Sequence, residues 1–562
     1  MKNLIIFKDN KFTLVLLLGC VFACMMAAVS MLEFFLPTNG ADIVVFYKRI
    51  IIGLGFNFLF SFFVPLALFV FAENIRKIIF NALSLICIVF VTASVLHVQV
   101  YKQLLAAPSL MVLLDTDFME AGEFVEFYAS GWVLLLFALT LLAMIALAAF
   151  AWRLSNRVFA QGFSKIYASM ALLALLALGY LGWNKIYFSL DNPIPFTAQT
   201  GVDVLQQKAQ YKKLLTSKPK NSGAQLTRTA QKPNTHIIII GESATRLHMS
   251  LYGYDRETNP HLKTPPQGMQ MFAASDVCSS SHATYGSIAH IMMGGTQPLS
   301  FDKDGASPPT LVSIVKDAGY KTHWISNQPG AGYGSMVSFW SVSVDNSIFL
   351  NKRDYRIGYD FDEVLLPSLE NILQNTSQNQ VIVLHMMGSH PSYKQRFPKK
   401  FEHWVGNEPA PNSVKRRNEP SFDKVTFNDY DNSMLYSDYV IAEILKLAQS
   451  HGVASVVYFS DHGQSLGEKT THVGHSTENG PKQGFEVPLL FWLNLSKLAD
   501  IGNNSPWCRR RGRSADGHCS LAASCRYVRG NIWRRQRWWR AASTTSEFRR
   551  WSARRLSLPS RW

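Results

Sequence analysis

The sequence predicts a multi-span α-helical membrane domain followed by an α/β domain with a mostly parallel β-sheet. Five apolar runs before residue 190 indicate the membrane domain, because each is long enough to cross a hydrocarbon core of ~30 Å at about 1.5 Å per residue. Short apolar runs alternate with helical patterns after residue 234, which is typical of a parallel sheet covered by helices on both faces. The pair Asp461-His462 follows one such run and indicates a metal site beside the sheet.

The N-terminal domain, residues 1–190, is predicted to cross the membrane five times. Lysines and arginines precede the first apolar run, and others separate the second run from the third and the fourth from the fifth. These ends are therefore expected to face the cytoplasm, although Lys48 and Arg49 depart mildly from the rule. The fifth span then delivers the chain to the outer side. The predicted spans are Leu14–Leu36, Ile50–Ala72, Ile78–Leu96, Trp132–Trp152 and Ile166–Phe188.

Two connecting segments differ from the spans in composition. Residues 101–127, the predicted outer loop after the third span, combine leucines with acidic residues. This pattern indicates an amphipathic helix at the outer membrane surface, and a packed connector is the alternative. Residues 191–234 are expected to form a bridging helix and then a polar linker.

The positive charge of the chain is concentrated at its end. The formal net charge is +16, and residues 505–562 contain fifteen arginines, two acidic residues and no lysine. The rest of the chain is close to neutral, so we expect no nucleic-acid partner for it. The tail has no apolar period, and we interpret it as an aberrant segment that is translated out of frame. A basic arm for a membrane surface or for nucleic acid is the alternative.

The predicted catalytic domain occupies residues 235–504. Its first strand is followed at once by Glu242, and the strand that begins at Ala454 is followed by Asp461 and His462. The carboxyl ends of parallel strands meet at one edge of a sheet, where ligands bind. The other predicted strands are Gln270–Ser275, Lys321–Ile325, Val381–Met386 and Val487–Trp492, and the predicted helices are Ile288–Met293, Leu311–Gly319 and Asn428–Ser450.

A divalent metal such as zinc suits this edge of the sheet. Glu242, Asp461 and His462 offer three ligands and leave a fourth position open for a nucleophile or a phosphate oxygen. A carboxylate that caps a helix is the simpler interpretation of Glu242 or Asp461 taken alone.

A hydroxyl nucleophile is expected in the segment Cys278–Ser287, which follows a predicted strand and precedes a helix. The dipole at a helix N-terminus favours an alkoxide and an attached phosphate. Thr284 is our choice, with Ser280 or Ser281 as alternatives, and an N-cap hydroxyl without chemistry is the simpler reading.

Three histidines lie close to the predicted site in sequence. His390 follows the strand Val381–Met386, and His472 and His475 come shortly after Asp461. Imidazoles in these places could bind a second metal, hold a phosphate or protonate a leaving group. Surface histidines without a role are the alternative.

Together these motifs resemble the membrane phosphoethanolamine transferases of Gram-negative bacteria, which modify lipid A or core sugars and include the polymyxin-resistance enzymes. The resemblance runs from the five predicted spans to about residue 500, and it extends to the alkaline-phosphatase and sulfatase fold. The motifs that carry it are Gly241-Glu242-Ser243, Ser250–Tyr254 with Thr258–Pro260, Met387–His390, Tyr430–Asn432, and Ser460–Gly463 with Ser465–Glu468.

The resemblance implies an inner-membrane, multi-pass enzyme with a periplasmic catalytic domain. Phosphatidylethanolamine is the implied donor, and lipopolysaccharide or lipooligosaccharide is the acceptor. One zinc ion, with a second as an open alternative, is implied at a covalent phospho-threonine site. The implied zinc ligands are Glu242, Thr284, Asp461 and His462, and the implied substrate contacts are Thr116, Glu120, His390, His472 and His475.

The sequence also departs from the family pattern. Cys278-Ser-Ser-Ser281 stands where members that modify lipid A usually have Cys-Gly-Thr, and Val112 stands where an asparagine is expected. These differences favour an inner-core heptose over lipid A as acceptor. The alternatives to the transferase are a metal-dependent hydrolase or glycerol-phosphate transferase on the same fold, and a chain inactivated by its altered C-terminus.

Overall fold

The structure of the protein is a computed structural model that describes most of the helices and of the α/β domain. Thr116, Glu120, His472, His475 and the predicted aberrant tail lie outside the described residues. The described residues are 11–32, 43–101, 105, 122, 125, 131–160, 162–184, 201–202, 205–206, 209, 233–293, 309–328, 340–341, 343–351, 360–375, 377–406, 408, 411, 424–467, 473–474 and 481–497.

Five helices precede the α/β domain in the described part of the chain. They are α1 (Lys11–Leu32), α2 (Ile43–Ala67), α3 (Glu73–Tyr101), α4 (Gly131–Phe159) and α5 (Lys165–Asn184). Within α2, α3 and α4, stretches of 18 to 29 residues are long and apolar enough to cross a membrane. In α1 and α5 the described apolar stretches are shorter, Thr13–Met26 and Lys165–Leu178. Five crossings therefore remain a prediction.

Aromatic rings join the turn between α2 and α3 to the turn between α4 and α5. The ring of Phe69 lies 5.6 Å from that of Phe159 and 5.1 Å from that of Phe163, and Phe80 and Phe159 are 5.8 Å apart, measured between centroids. Phe80 and Phe159 are buried. The two turns, which the sequence predicts on one side of the membrane, therefore pack together.

A seven-stranded, mostly parallel sheet forms the centre of the α/β domain, as the sequence predicts. Its spatial order is β2-β9-β6-β1-β5-β3-β4, and a hairpin of β7 and β8 lies apart from it. The strands are β1 (Thr235–Gly241), β2 (Met269–Ala273), β3 (Lys321–Ser326), β4 (Asn346–Phe349), β5 (Gln380–His385), β6 (Ser455–Ser460), β7 (Ser465–Leu466), β8 (Val473–Gly474) and β9 (Leu489–Asn494).

Four helices of the described chain accompany the sheet: α6 (Thr284–Met293), α7 (Leu311–Asp317), α8 (Leu365–Leu373) and α9 (Lys424–Ser450). The apolar residues of α8 and α9 pack with those of β1, β5 and β6 in one buried cluster. The isoleucines and valines of the central strands explain this burial, because both faces of a parallel sheet are covered.

The structure differs from the sequence prediction at the edges of the sheet. β9 runs antiparallel to β6 and to β2, and hydropathy carries no information about strand direction. β4 and the β7–β8 hairpin were not predicted from the sequence. β4 is an edge strand of four residues that includes Asn346 and Ser347, so its composition resembles that of a loop.

A buried ionic cluster locks the segment after β1 onto α9. The carboxylate of Asp431 accepts hydrogen bonds from His248 Nδ1, Tyr254 OH and Arg256 Nη1, each at 2.7 Å. The Asp431 side chain is completely buried, and the Arg256 side chain is 8% exposed. The motif residues 250–254 and 430–432 are therefore held together by charge.

We expect Asp431→Asn to lower the free energy of unfolding by about 3 kcal/mol, because it leaves the buried Arg256 guanidinium without its charged partner. Chemical denaturation of the purified full chain in detergent, followed by tryptophan fluorescence, measures the change. The control is Glu443→Gln, also on α9, where the partner Lys446 is 65% exposed and the expected change is within about 0.5 kcal/mol. Equal destabilisation by the two variants would contradict this account of the cluster.

Candidate active site and metal centre

The register of the central strands brings Glu242 and Asp461 together. Gly241 of β1 lies opposite Ser460 of β6, so the next residue of each strand leaves the sheet beside the other. The Asp461 amide donates to the Gly241 carbonyl oxygen at 3.0 Å, which extends the pairing by one step. Both carboxylates therefore lie at the carboxyl edge of the sheet, where the sequence predicts them.

Four side chains converge at this edge. Ligand atoms of Glu242, Asp461 and His462 all lie within 4.8 Å of one another, and the three residues are buried. His462 Nε2 lies 3.2 Å from Glu242 Oε1 and 3.5 Å from Asp461 Oδ2. The Thr284 hydroxyl donates to Glu242 Oε2 at 3.1 Å and lies 3.3 Å from His462 Nε2. Two carboxylates, an imidazole and a hydroxyl thus face a common point.

Hydrogen bonds fix the orientation of each potential metal ligand. His462 Nδ1 lies 2.8 Å from the Gly463 carbonyl oxygen, so Nδ1 carries a hydrogen and Nε2 is the ring atom directed at the carboxylates. Asp461 Oδ1 accepts from the amides of His462 at 2.7 Å and Ser243 at 3.2 Å. Asp461 Oδ2 is buried without a hydrogen-bond donor among the described residues. An acceptor aimed in this way is available to a cation.

The electrostatics of the cluster also favour a cation. Burial, together with the negative charge of Glu242, raises the pKa of Asp461 to about 8. Burial opposes ionisation of Glu242 as well, but the hydrogen bond and the charge of His462 hold its pKa well below the usual range. Two buried carboxylates share one site, and a divalent cation would neutralise both of them. The donor set of oxygens and one imidazole nitrogen fits zinc.

The Thr284 hydroxyl lies at the N-terminus of α6, which begins at this residue. The helix dipole adds partial positive charge there, in the position that the sequence predicts for a nucleophile. The alternatives point elsewhere: Ser281 Oγ accepts from the Ala283 amide at 3.1 Å, and Ser280 is exposed. Of the three hydroxyls considered, Thr284 is the one that contacts the carboxylate and imidazole cluster.

A strained turn after β1 presents Glu242 to the cluster. Ser243 has a φ of 56°, a left-handed conformation that costs a non-glycine residue roughly 1–2 kcal/mol. The buried Tyr430 hydroxyl donates to the Ser243 carbonyl oxygen at 2.8 Å and accepts from the Thr245 amide at 2.9 Å. Ser460 Oγ accepts from the Ala244 amide at 2.8 Å. Sequence analysis assigned no role to Tyr430 or Ser460, because their partners are distant in the chain.

The loop after β5 closes over the backbone of Glu242. Gly388 has a φ of 53°, and a Cβ atom there would lie 2.8 Å from the Glu242 carbonyl oxygen and 2.9 Å from its nitrogen. The carboxylate of Asp362 holds this loop by accepting from the amides of Met387 and Gly388, each at 2.8 Å. Nothing in the sequence around Asp362 signals this role.

The buried imidazole of His385 and the half-buried imidazole of His390 lie on the β5 side of the cluster. Burial lowers the pKa of His390 to about 4, although the negative charge of Glu242 opposes this shift, and the same two effects bring His385 to a pKa of about 4. Both rings are therefore neutral at pH 7. Neither ring nitrogen of His385 has a hydrogen-bond partner among the described residues, nor does His390 Nδ1. His390 was selected from the sequence, whereas His385 was read as part of a strand.

Comparisons with known proteins agree with this fold. A family model described as Sulfatase matches residues 234–509. Phosphoethanolamine transferase EptC of Escherichia coli (strain RS218) is 28% identical over 474 residues, which cover 79% of this chain and 78% of that protein.

Two solved structures are also similar. The integral membrane lipooligosaccharide phosphoethanolamine transferase A (EptA) of Neisseria meningitidis has a TM-score of 0.57 at 18% identity, covering 89% of this chain and 90% of that chain, which is a likeness of fold. The periplasmic domain of Escherichia coli EptC, crystallised with zinc, is 26% identical with a TM-score of 0.43, covering 52% of this chain and 86% of that chain.

We expect Gly388→Ala to weaken zinc binding by about 10- to 100-fold, because the new methyl group displaces the Glu242 backbone. Competition with a fluorescent zinc chelator measures the affinity. Gly406→Ala is the matched control: Gly406 has a similar φ of 56°, and its Cβ position has nothing within 4 Å. Equal zinc affinities in the two variants would show that the contact with Glu242 does not position this ligand.

Proposed function

We propose, on the premise that this chain belongs to the phosphoethanolamine transferase family, that it moves phosphoethanolamine from phosphatidylethanolamine to lipopolysaccharide or lipooligosaccharide. The observation that carries the proposal is the Thr284 hydroxyl, held 3.1 Å from Glu242 and 3.3 Å from His462 at a helix N-terminus. Helices long and apolar enough to cross a membrane, in the same chain as this site, suit a lipid donor. We place the chain in the bacterial inner membrane, with the catalytic domain in the periplasm.

Glu242, Asp461, His462 and the Thr284 oxygen are the residues that would hold a zinc ion. Asp461 Oδ2, which has no hydrogen-bond donor among the described residues, and the orientation of His462 Nε2 support this assignment. A bound zinc ion lowers the pKa of a hydroxyl beside it and stabilises negative charge on phosphoryl oxygens. A second zinc ion would be bound by His390 together with His472 or His475. The last two residues lie outside the described residues.

In the first step the Thr284 oxygen attacks the phosphorus of the donor lipid. A bond forms between Oγ1 and phosphorus, and the bond from phosphorus to the diacylglycerol oxygen breaks. The Thr284 hydroxyl donates to Glu242 Oε2, which orients the nucleophile, and the hydroxyl proton is lost to solvent as the new bond forms. The diacylglycerol oxygen takes up a proton and leaves, and phosphoethanolamine remains on Thr284.

In the second step an acceptor oxygen attacks the same phosphorus. The acceptor is a sugar hydroxyl or a lipid A phosphate, and the Thr284 oxygen leaves and recovers a proton. The neutral imidazole of His390 lies near Glu242 and suits a contact with a phosphoryl oxygen or with the incoming hydroxyl. Thr116, Glu120, His472 and His475 remain predicted substrate contacts.

A hydrolase or a glycerol-phosphate transferase on the same fold would use the same nucleophile, so the products must separate these activities. The segment Cys278-Ser-Ser-Ser281 and Val112 favour an inner-core heptose as acceptor over lipid A. An inactive chain with an altered C-terminus is the third possibility, and the following test excludes or establishes it.

We expect Thr284→Ala to reduce diacylglycerol release from fluorescent phosphatidylethanolamine by at least about 1,000-fold, because no nucleophile remains. Ser280→Ala is the matched control, since Ser280 is an exposed hydroxyl of the same segment. Activity retained by Thr284→Ala and lost in Ser280→Ala would identify Ser280 as the nucleophile.

Mass spectrometry of lipooligosaccharide from cells with and without the gene identifies the acceptor. We expect a mass gain of one phosphoethanolamine with the native chain and none with Thr284→Ala. A native chain that releases diacylglycerol without a mass gain on any glycolipid would indicate a hydrolase. A native chain that does neither would contradict the transfer proposal and favour an inactive chain.

A further inference from the structure

The membrane helices carry an apolar groove that the transfer chemistry does not use. It has a volume of about 160 Å³ and lies between α2, α3 and α5. Among the described residues its lining contains no charged side chain, so the groove presents an apolar surface. The lining residues are Phe60, Val64, Ala67, Leu68, Phe71, Leu83, Leu172 and Leu175.

One end of the groove reaches a cluster of positive charge. The ring contacts of Phe69 with Phe159 and Phe163 bring the α2–α3 turn against the α4–α5 turn. Basic residues lie in the helices that flank both turns, so their charges belong to the same end of the helices. We call this the basic face, and it comprises Arg76, Lys77, Arg153, Arg157 and Lys165.

The groove runs inwards from the basic face at a depth suited to an acyl chain. Leu83 follows Arg76 by seven residues and Leu172 follows Lys165 by seven, which places both about 10 Å from the basic face at about 1.5 Å per residue. Half of a hydrocarbon core is about 15 Å thick. The groove therefore lies within the membrane leaflet next to the basic face.

Arg76 precedes the groove residue Leu83 by two turns of α3 and is held in place by aromatic rings. Its guanidinium lies 4.8 Å from the centroid of the Phe69 ring and 5.9 Å from that of Phe159. Glu73 pairs with Lys77 at 2.6 Å, and the buried Arg76 Nε has no hydrogen-bond partner among the described residues. Aromatic stacking fixes the cation without neutralising it.

We propose that this groove binds a glycerophospholipid with an anionic head group, such as phosphatidylglycerol, as a lipid distinct from the donor. One acyl chain lies against Leu83 and Leu172, and the phosphate meets Arg76. Basic pockets between membrane helices bind anionic head groups in this way. This lipid takes no part in the transfer reaction, and its placement rests on the predicted membrane topology.

The predicted topology separates this groove from the donor lipid. α5 begins at Lys165, beside the other basic residues, and ends at Asn184. The sequence predicts that the chain leaves this fifth span on the outer side of the membrane, where the donor is used, whereas the basic residues are predicted on the cytoplasmic side. The net charge of the basic face also favours an anionic lipid over zwitterionic phosphatidylethanolamine.

Native mass spectrometry of the delipidated full chain in detergent tests this binding. The probes are phosphatidylglycerol and phosphatidylethanolamine with the same acyl chains. We expect the first phosphatidylglycerol to bind at least about fivefold tighter than phosphatidylethanolamine, the effect of one basic residue near an anionic lipid, and Arg76→Gln to remove the difference. Equal affinities of the native chain for the two lipids would overturn the proposal.

Adjacent leucines of α5 supply matched variants for the groove. Leu172 lines the groove, whereas Leu173 is 67% exposed on the outer surface of the helix. We expect Leu172→Trp to weaken phosphatidylglycerol binding by at least about tenfold, because the indole occupies the space of the acyl chain, and Leu173→Trp to leave it unchanged. Leu175→Trp and Leu176→Trp form a second pair if Leu172→Trp does not fold. Equal binding in both members of a folded pair would refute the groove as the site.

Discussion

The candidate site is organised around two buried carboxylates that repel each other. Glu242 and Asp461 leave adjacent strands at the same edge and face one point, where burial and mutual charge make joint ionisation unfavourable. His462 partly offsets this charge, and a divalent cation would neutralise it. The Thr284 hydroxyl is placed where that cation would act on it. Holding these two carboxylates together costs free energy unless a cation neutralises them. The arrangement therefore suits a metal-dependent transferase.

The surrounding fold holds these groups against the strain. Parallel pairing of β1 with β6 sets the position of the carboxylates, and the Tyr430 hydroxyl secures the left-handed Ser243. Asp431, the next residue of α9, fixes the segment that follows the turn through Arg256 and its other partners. The side chains of the candidate metal centre are thus positioned by residues nearly 200 positions away in the sequence, which explains why the motifs occur as a set.

Residues that follow an apolar run, such as Glu242, Asp461 and His462, could be selected from the sequence because parallel strands end at one edge. Thr284 could be selected because a helix follows it. His385 and Asp362 could not, since each lies inside or before an ordinary element, and the role of Tyr430, a motif residue, arises from a contact with distant backbone. The direction of β9 could not be predicted, because composition reports burial and not strand orientation. The edge strand β4 could not be predicted because it is short and polar. The basic residues near the helix turns can be read from the sequence, but only the structure shows the apolar groove between the same helices.

X-ray absorption at the zinc edge of the purified full chain, loaded with one equivalent of zinc, tests the central claim most directly. The account predicts oxygen and nitrogen neighbours at about 2.0–2.2 Å, with an imidazole contribution that disappears in His462→Ala. A sulfur neighbour at about 2.3 Å, or an imidazole signal unchanged in His462→Ala, would contradict it.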